Sequence, residues 1–205
     1  MSLVIWLVTG YLAGSIPTSF LAGKLAGIDL RQHGSKNLGA TNVYRVLGWR
    51  YAIPVGLVDV AKGAVPVAAA ASTVPRVGWL PLAVGCAAVA GHVFSVFLRF
   101  RGGKGVATAA GVVLALAPGA LGISAAIWVT VLAVTGFVSL ASMLGAVAFP
   151  VAVRLLYPGS AYAFWVGVGL ALFIVFTHRS NIGRLVRGTE NRFGRRGSRS
   201  PAEGR

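Results

Sequence analysis

The chain has 205 residues, of which 56% are hydrophobic and only 11% are charged, and its mean hydropathy is +0.78. Soluble domains carry about 25% charged residues, so this composition excludes an ordinary water-soluble fold. The 19 Lys and Arg residues outnumber four acidic residues and give a net charge of +15. These charges lie between apolar runs, which favours membrane orientation and anionic lipid over nucleic acid as their explanation.

Seven apolar segments follow one another, at about 3–23, 52–73, 79–98, 105–117, 119–135, 139–157 and 160–177. Helices of about 20 apolar residues cross the roughly 30 Å hydrocarbon core of a bilayer. The first segment lacks a basic start and a cleavage signal, so we predict a membrane helix there and not a signal peptide. The fourth is short, and merging segments four to six into two long helices, which gives six crossings, is the main alternative.

The distribution of basic residues favours seven crossings. With seven spans, sixteen Lys and Arg residues lie on one side of the membrane, Arg76 and Arg154 lie on the other, and Lys62 lies inside the second segment. The positive-inside rule then puts the N-terminus outside and the C-terminus in the cytoplasm. We therefore predict an all-α polytopic bundle of seven transmembrane helices in residues 1–191, followed by a basic, disordered cytoplasmic tail in 192–205.

The loop 29–45 is more polar than a connection between helices requires. Glycines around Ser35 and Asn37 allow backbone N–H groups to turn toward an anion. Apolar residues recur at helical spacing over 43–47, which indicates a short interfacial helix that carries Arg45. The candidate substrate-binding residues here are Ser35, Asn37, Thr41, Asn42 and Arg45. The alternative is a solvated turn with snorkelling basic side chains.

The segment 99–108, with the sequence RFRGGKGVAT, is the clearest signal of a binding site. Three glycines flank Lys104 and lead directly into an apolar helix, so backbone N–H groups, the helix dipole and the lysine charge can converge on an anion. The segment is not a Walker A loop, because Leu98 stands where the first glycine would be. We predict a phosphate site with Lys104, Gly102, Gly103, Gly105 and Thr108 as candidates. The alternative is a tight basic turn between two helices.

Two further polar clusters lie at helix ends. Ser142 stands near the start of the sixth segment, where a serine is commonly a cap or a packing residue. His178, Asn181 and Arg184 recur at three-residue spacing after the last segment, so they share a face if the helix continues. These clusters add Ser142 and Arg184 as substrate-binding candidates, and His178, Asn181 and Glu190 join Lys104 as candidate catalytic residues.

The remaining polar residues have structural interpretations. Asp59 and Lys62 are three residues apart in the second segment, where they are expected to pair on one helix face. His92 is expected to hydrogen-bond between helices, and the single cysteine, Cys86, to be a small core residue. The chain has no pair of carboxylates, Cys/His set or HExxH spacing. We therefore expect no bound metal.

At these clusters the sequence resembles the acyl-phosphate-dependent glycerol-3-phosphate acyltransferases of bacteria. The matching strings span almost the whole chain: GSIP at 14–17, GSKNLGATNVYRVLG at 34–48, DVAKG at 59–63, GHVFSVFLRFRGGKGVAT at 91–108, SLAS at 139–142, HRSNIGRL at 178–185 and GTEN at 188–191. The chain departs from the family pattern at Lys36, where members often have glycine, and at Ser95, where they often have proline.

The resemblance implies a seven-helix enzyme of the bacterial inner membrane with its active site on the cytoplasmic face. It would transfer a fatty acyl group from acyl phosphate to the 1-hydroxyl of sn-glycerol 3-phosphate, giving lysophosphatidate and phosphate without a cofactor. The resemblance assigns Ser35, Arg45, Lys104, Ser142, His178, Asn181 and Glu190 to this site, with Gly103 and Gly105. The expected partners are the two substrates and membrane lipid, and no nucleic acid.

Two other functional classes fit parts of the pattern. An anion transporter would bind phosphate, but transporters usually carry internal repeats and place polar groups near the bilayer midplane. A scaffold that binds anionic lipid through its tail would leave the basic glycine loop at 99–108 and the cluster around His178 unexplained.

Overall fold

The computed structural model describes residues 3–194, and throughout that range the regular structure is helical, without strands. Its α-helices are α1 (Leu3–Ser15), α2 (Thr18–Leu25), α3 (Ala40–Leu47), α4 (Trp49–Thr73), α5 (Leu80–Val93), α6 (Val106–Leu116), α7 (Pro118–Thr135), α8 (Val138–Leu156), α9 (Ala161–Thr177) and α10 (Arg179–Val186). A short 3-10 helix, Val96–Leu98, follows α5. The predicted all-α class is confirmed for this part of the chain.

Within residues 3–194, five helical stretches are long and apolar enough to cross a membrane. They are Leu3–Leu25, which joins α1 and α2, then Trp49–Thr73, Leu80–Leu98, Pro118–Thr135 and Val138–Leu156. The pair α9 and α10, bent by 58°, gives a sixth if it is taken as one span, and α6 is a shorter apolar helix of 11 residues. The helices α6, α7 and α8 stay separate, so predicted segments four to six do not merge. Seven crossings and their orientation remain predictions.

The first span is broken between α1 and α2, at Ile16 and Pro17. A proline has no N–H to continue the helix, and at this break the carbonyl of Ile16 accepts from the N–H of Thr18 at 3.0 Å. Lys62 gives that carbonyl a second donor, because its Nζ lies 2.9 Å from the oxygen and also 2.8 Å from Asp59 Oδ1. The hydroxyl group of Thr18 donates a hydrogen bond to the same carboxylate. The expected pairing of Asp59 with Lys62 is therefore confirmed, and it also braces the break.

Close packing of α6 against α4 depends on two glycines. A Cβ added at Gly63 on α4 would overlap the carbonyl of Thr108, and one at Gly111 on α6 would overlap the carbonyl of Val60. Small residues at such crossings allow membrane helices to approach backbone to backbone. This contact fixes the position of the short helix α6 and thereby the position of its N-terminus, which follows Lys104.

The predicted interfacial helix is α3, which packs against α2 and α4 through a fully buried Val43. At the other end of the chain, residues 188–194 form what we call the C-terminal segment, which returns from α10 to the start of α8. The N–H of Phe193 donates to the carbonyl of Gly136 at 2.7 Å, and the guanidinium of Arg192 lies 5.1 Å from the ring centre of Phe137. The rest of the predicted tail, 195–205, lies outside the described residues.

Candidate active site

A cavity of about 510 Å³ lies between the polar loops and the second half of the helical bundle. Its wall brings together candidates that are far apart in the chain. They are Ser35, Asn37, Thr41, Asn42, Arg45, Lys104, Gly105, Ser142, His178, Asn181 and Glu190. Four other candidates, Gly102, Gly103, Thr108 and Arg184, are not part of this wall.

The cavity has a polar end and an apolar end. The polar end is formed by α3, the loop before α6, and the junction of α9 with α10. The apolar end continues between α6, α7, α8 and α9, as far as Phe149 on α8 and Gly167 on α9. These two residues are ten or eleven positions from the polar ends of their helices, a distance of about 15 Å at 1.5 Å per residue. The shape suits a molecule with an anionic head and a long apolar tail.

Lys104 lies at the polar end, immediately before α6. Its own carbonyl accepts a hydrogen bond from the Thr177 hydroxyl at 3.2 Å, and its ammonium group donates to Oδ1 of Asn181. Burial lowers the pKa of Lys104 to about 8, an effect that Glu190 opposes and that the positive charges of Arg184 and Arg45 reinforce. A partly buried ammonium group beside other cations gains most from a bound anion.

The glycines before Lys104 serve packing. The N–H of Gly102 donates to the carbonyl of Val93 at 2.9 Å, and the N–H of Gly103 donates to that of His92 at 3.1 Å. A Cβ at Gly102 would overlap the His92 carbonyl, and one at Gly103 would overlap the His92 ring. Both glycines therefore seal the end of α5, and the expectation that their N–H groups face an anion is wrong.

The backbone donors that remain available lie at the start of α6. Within residues 3–194, the N–H groups of 104–107 donate to no other protein group. Gly105 has a φ of +81°, a left-handed conformation that favours glycine and turns the chain into the helix. The first N–H groups of a helix have no partner in the helix itself and attract anions. The backbone part of the predicted anion site is thus displaced by two residues, toward α6.

Glu190 connects three elements through hydrogen bonds. Its Oε1 accepts from the Ser139 hydroxyl at 2.9 Å and from Nδ2 of Asn181 at 2.6 Å. Its Oε2 accepts from Nε of Arg184 at 2.7 Å. The carboxylate is 6% exposed and accepts three hydrogen bonds, so Glu190 is held in place. Arg184 is not part of the cavity wall but holds Glu190, which is. We predicted instead that Arg184 contacts the substrate directly.

His178 is buried at the bend between α9 and α10. Its Nδ1 lies 2.8 Å from the carbonyl oxygen of Ile174. A carbonyl only accepts hydrogen bonds, so this contact assigns the proton to Nδ1 and leaves Nε2 with its lone pair. A neutral imidazole with a free ring nitrogen in a cavity wall has the properties of a general base.

The loop before α3 is braced by Asn42, whose side chain is buried. Its Nδ2 donates to the carbonyls of Leu30 and His33 at 3.3 and 3.1 Å, while its Oδ1 accepts from the N–H of Ser35 at 2.7 Å. The Asn42 amide is therefore occupied with holding the loop, which argues against the predicted role of its side chain in binding substrate.

Arg45 is the guanidinium that α3 presents to this cavity. It is half-buried in the wall, and it forms no ion pair within the described part of the chain. Burial lowers its pKa, and the carboxylate of Glu190 opposes that effect. A half-buried cation without a neutralising partner leaves a positive charge available to an anionic ligand.

Thr108 has a structural position. Its buried hydroxyl lies 3.0 Å from Nδ1 of His92, so the expected interhelical hydrogen bond of His92 is present, between α5 and α6. Asp59, the partner of Lys62, is 3.8 Å from the same ring nitrogen. This buried polar cluster supports the N-terminus of α6. Thr108 is not part of the cavity wall, so its predicted role in binding substrate is wrong.

Trp128 on α7 is a cavity residue that no motif indicated. Its indole Nε1 donates to the Ser142 hydroxyl at 3.2 Å, and that hydroxyl donates to the carbonyl of Val138 at 2.8 Å. Ser142 therefore fixes the indole where the polar and apolar ends of the cavity meet. In sequence, Trp128 looks like any aromatic residue of an apolar helix, so only the folded arrangement identifies it.

Known proteins are similar to this chain in sequence and in fold. Residues 4–188 match the family "Glycerol-3-phosphate acyltransferase". The curated glycerol-3-phosphate acyltransferase of Desulforudis audaxviator is 48% identical over 197 residues, covering 94% of this chain and 97% of that protein. The one from Chlorobaculum tepidum is 41% identical over 234 residues, with 93% and 97% covered.

Solved structures agree. The crystal structure of PlsY (YgiH), an integral membrane glycerol 3-phosphate acyltransferase, in its glycerol 3-phosphate form has a TM-score of 0.89 and 37% identity, and covers 95% of this chain and 96% of that one. Its lysophosphatidic acid form gives a TM-score of 0.87 and 36% identity, with the same coverage. The chain is an integral membrane protein and belongs to the glycerol-3-phosphate acyltransferase family.

Proposed function

We propose that the protein transfers a fatty acyl group from acyl phosphate to the 1-hydroxyl of sn-glycerol 3-phosphate, releasing 1-acylglycerol 3-phosphate (lysophosphatidate) and phosphate. The observation that carries the proposal is a single cavity in which Lys104, Arg45 and His178 meet at the polar end of a long apolar groove. Two related structures are those of an acyltransferase in glycerol 3-phosphate and lysophosphatidic acid forms, which supports the same acceptor and product here.

The donor phosphate binds at the start of α6. Lys104 supplies a full positive charge there, and the N–H groups of 104–107 supply hydrogen bonds. As the acyl group departs, negative charge builds on the leaving phosphate oxygen. Donors that are already oriented stabilise that charge without reorganisation.

The acceptor binds on the side of α3. Arg45 holds the phosphate of glycerol 3-phosphate, and Ser35, Asn37 and Thr41 offer polar groups in the adjoining wall. Two separate cationic groups are needed because the substrates are both phosphate anions and repel each other. Holding them in one geometry converts a bimolecular encounter into an effectively unimolecular step.

The reaction is a direct acyl transfer. The 1-hydroxyl oxygen bonds to the carbonyl carbon of acyl phosphate, while the bond from that carbon to the phosphate oxygen breaks and its electron pair leaves with phosphate. Nε2 of His178 accepts the hydroxyl proton and then returns it to the phosphate. Acyl phosphate is an activated anhydride, so the step requires no covalent enzyme intermediate. Asn181 and Glu190 keep Lys104 in place.

The acyl chain occupies the apolar end of the cavity, against Trp128, Phe149 and Gly167. Val129 both lines this part and is 58% exposed on the outer surface of the helices. A lipid tail can thus enter sideways from the bilayer, while glycerol 3-phosphate enters from water at the polar end.

The proposal includes seven crossings of the bacterial cell membrane, with the N-terminus outside and the active site on the cytoplasmic face. The positive-inside rule supports this, because the polar clusters and sixteen of the basic residues then lie in the cytoplasm.

Product formation by the purified protein tests the proposal. Labelled glycerol 3-phosphate is incubated with acyl phosphate or with acyl-CoA, and the lipid product is quantified. We expect lysophosphatidate with acyl phosphate alone. Product from acyl-CoA only would overturn the donor assignment, and uptake of labelled glycerol 3-phosphate into proteoliposomes without acylation would indicate a transporter instead.

A further inference from the structure

The C-terminal segment crosses the polar end of the cavity and contacts α3 on the far side. The ring of Phe193 stacks on that of Tyr44, with centroids 5.0 Å apart and planes inclined by 21°. Tyr44 immediately precedes Arg45 on α3. The contact thus joins the last described turn of the chain to the helix that carries the acceptor-side cation.

The backbone of Phe193 is anchored to the loop between α7 and α8. Its N–H donates to the carbonyl of Gly136 between α7 and α8, and the preceding Arg192 lies over Phe137 in the same loop. Three residues earlier, Glu190 is fixed by Ser139, Asn181 and Arg184. The Phe193 ring therefore projects from an anchored segment of the chain and can limit the movement of α3.

The helix α3 needs a contact that limits its rotation. It has only eight residues, and helices of that length depend on tertiary contacts for their position. It packs against α2 and α4 on one side, whereas the cavity lies on the other. A small rotation of α3 would move the long side chain of Arg45 away from the cavity.

We propose that Phe193 is a positioning residue for the acceptor substrate, because its stack on Tyr44 fixes α3 in the orientation that points Arg45 into the cavity. The inference rests on the proposed function, in which Arg45 binds the phosphate of glycerol 3-phosphate. Tyr44 and Phe193 are 38% and 43% exposed. The pair lies at the water-facing rim, where glycerol 3-phosphate enters, and neither ring is part of the cavity wall.

Steady-state kinetics of Phe193→Ala test the proposal. Aromatic pairs contribute modestly beyond their buried area, so we expect a roughly two- to tenfold rise in the KM for glycerol 3-phosphate. The KM for acyl phosphate and kcat with both substrates saturating should remain within about twofold. Phe193→Tyr, which keeps the aromatic plane, should restore the normal KM, and Tyr44→Ala with Phe193→Ala should be no worse than either alone.

Phe97→Ala is the matched control, because Phe97 is a 60% exposed ring outside the cavity. If Phe193→Ala does not fold, Phe193→Leu retains apolar volume without the stack and should show the same selective rise. An unchanged KM for glycerol 3-phosphate, or an equal loss in kcat, overturns the inference. Arg45→Ala distinguishes failure of this inference from failure of the proposed function. If the KM for glycerol 3-phosphate rises in Arg45→Ala but is normal in the Phe193 variants, only the inference about Phe193 is rejected. If that KM is normal in Arg45→Ala, the proposed acceptor site itself is rejected.

Discussion

The ammonium group of Lys104 donates a hydrogen bond to Asn181, a residue 77 positions further along the chain. The other end of the same amide donates to Glu190, so the amide orientation is fixed by a cation on one side and an anion on the other. This relay places one negative charge near the lysine without a direct ion pair. The ammonium group keeps donors for a phosphate, because it has three and only one is used within the part of the chain described.

Replacing Lys104 with alanine should reduce kcat/KM by about 10²- to 10³-fold, the usual cost of losing one donor to developing negative charge. The measurement is the initial rate of lysophosphatidate formation in membranes that contain equal amounts of each variant. Lys24→Ala is the control, since Lys24 lies over the Phe20 ring away from the cavity. A Lys104→Ala enzyme with the normal rate would contradict the assignment of the donor site.

The pH dependence should show the ionisation of Lys104. Its pKa is lowered to about 8, so the ammonium form is present below that pH and is lost as the pH rises through it. We expect kcat/KM for acyl phosphate to be level up to about pH 7, to be halved near pH 8, and to fall by up to tenfold per pH unit above it. Lys104→Arg stays charged, so it should lack this decrease whatever its absolute rate. The same decrease in that variant would assign the ionisation to another group.

Removal of the imidazole should affect the chemical step more than binding. His178→Ala is expected to lower kcat by about 10²- to 10⁴-fold, the range for loss of a general base. The KM for acyl phosphate should change little, because Lys104 and the N-terminus of α6 remain. His33→Ala provides the comparison, since the exposed His33 ring lies against the carbonyl of Asp29 and is not part of the cavity wall. A kcat that survives the loss of His178 would point to a substrate phosphate oxygen as the base.

The apolar end of the cavity should set the acyl chain length. A Cβ at Gly167 would lie 3.1 Å from the ring of Phe149, so the methyl group of Gly167→Ala and that ring would compete for space in the groove that both residues line. We expect kcat/KM for long acyl phosphates to fall about three- to tenfold relative to short ones, since a methylene in an apolar pocket discriminates by at least tenfold when fully excluded. Gly169→Ala is the matched control on the same helix, because a Cβ there meets nothing within 4 Å. An identical chain-length profile in both variants would exclude this part of the groove.

Lys36 should be a site of local strain. It has a φ of +60°, in the left-handed region, which costs a residue with a side chain about 1 to 2 kcal/mol. Glycine adopts this conformation freely but costs more entropy on folding, so Lys36→Gly should stabilise the protein by about 0.5 to 1 kcal/mol. Thermal unfolding in detergent measures the change. Lys36→Ala removes the same charge and keeps the strain, so a rise in both variants would attribute the gain to charge.

The helical segments follow closely from the sequence because apolar length is a local property. Predicted 119–135 and 160–177 are observed as Pro118–Thr135 and Ala161–Thr177. The break after Ile16 is not among the predicted features, and the Lys62 side chain that hydrogen-bonds the Ile16 carbonyl there comes from another helix. Local pattern cannot supply such a partner.

The sequence predicts most of the residues that line the candidate site, but it predicts less well what each of them does. Polar residues are conspicuous in an apolar chain, so the sequence alone indicates Arg45, Lys104 and His178. The roles of Gly102, Gly103 and Thr108 were assigned wrongly because a glycine suits an anion loop and a close helix contact equally well. Trp128 and Phe193 carried no signal, since their importance comes from partners more than ten residues away.

The junction between Glu190 and the rest of the cavity has a consequence for the order of events during synthesis. Arg45 emerges from the ribosome about 145 residues before Glu190, which corresponds to roughly 7 to 30 s of translation. Until Glu190 arrives, Ser139, Asn181 and Arg184 lack their common acceptor, and Tyr44 lacks the ring of Phe193. Every helix of the bundle can therefore be inserted before the polar end of the cavity closes. A nascent chain should gain activity in one late step, and a product truncated before Glu190 should be membrane-bound yet inactive.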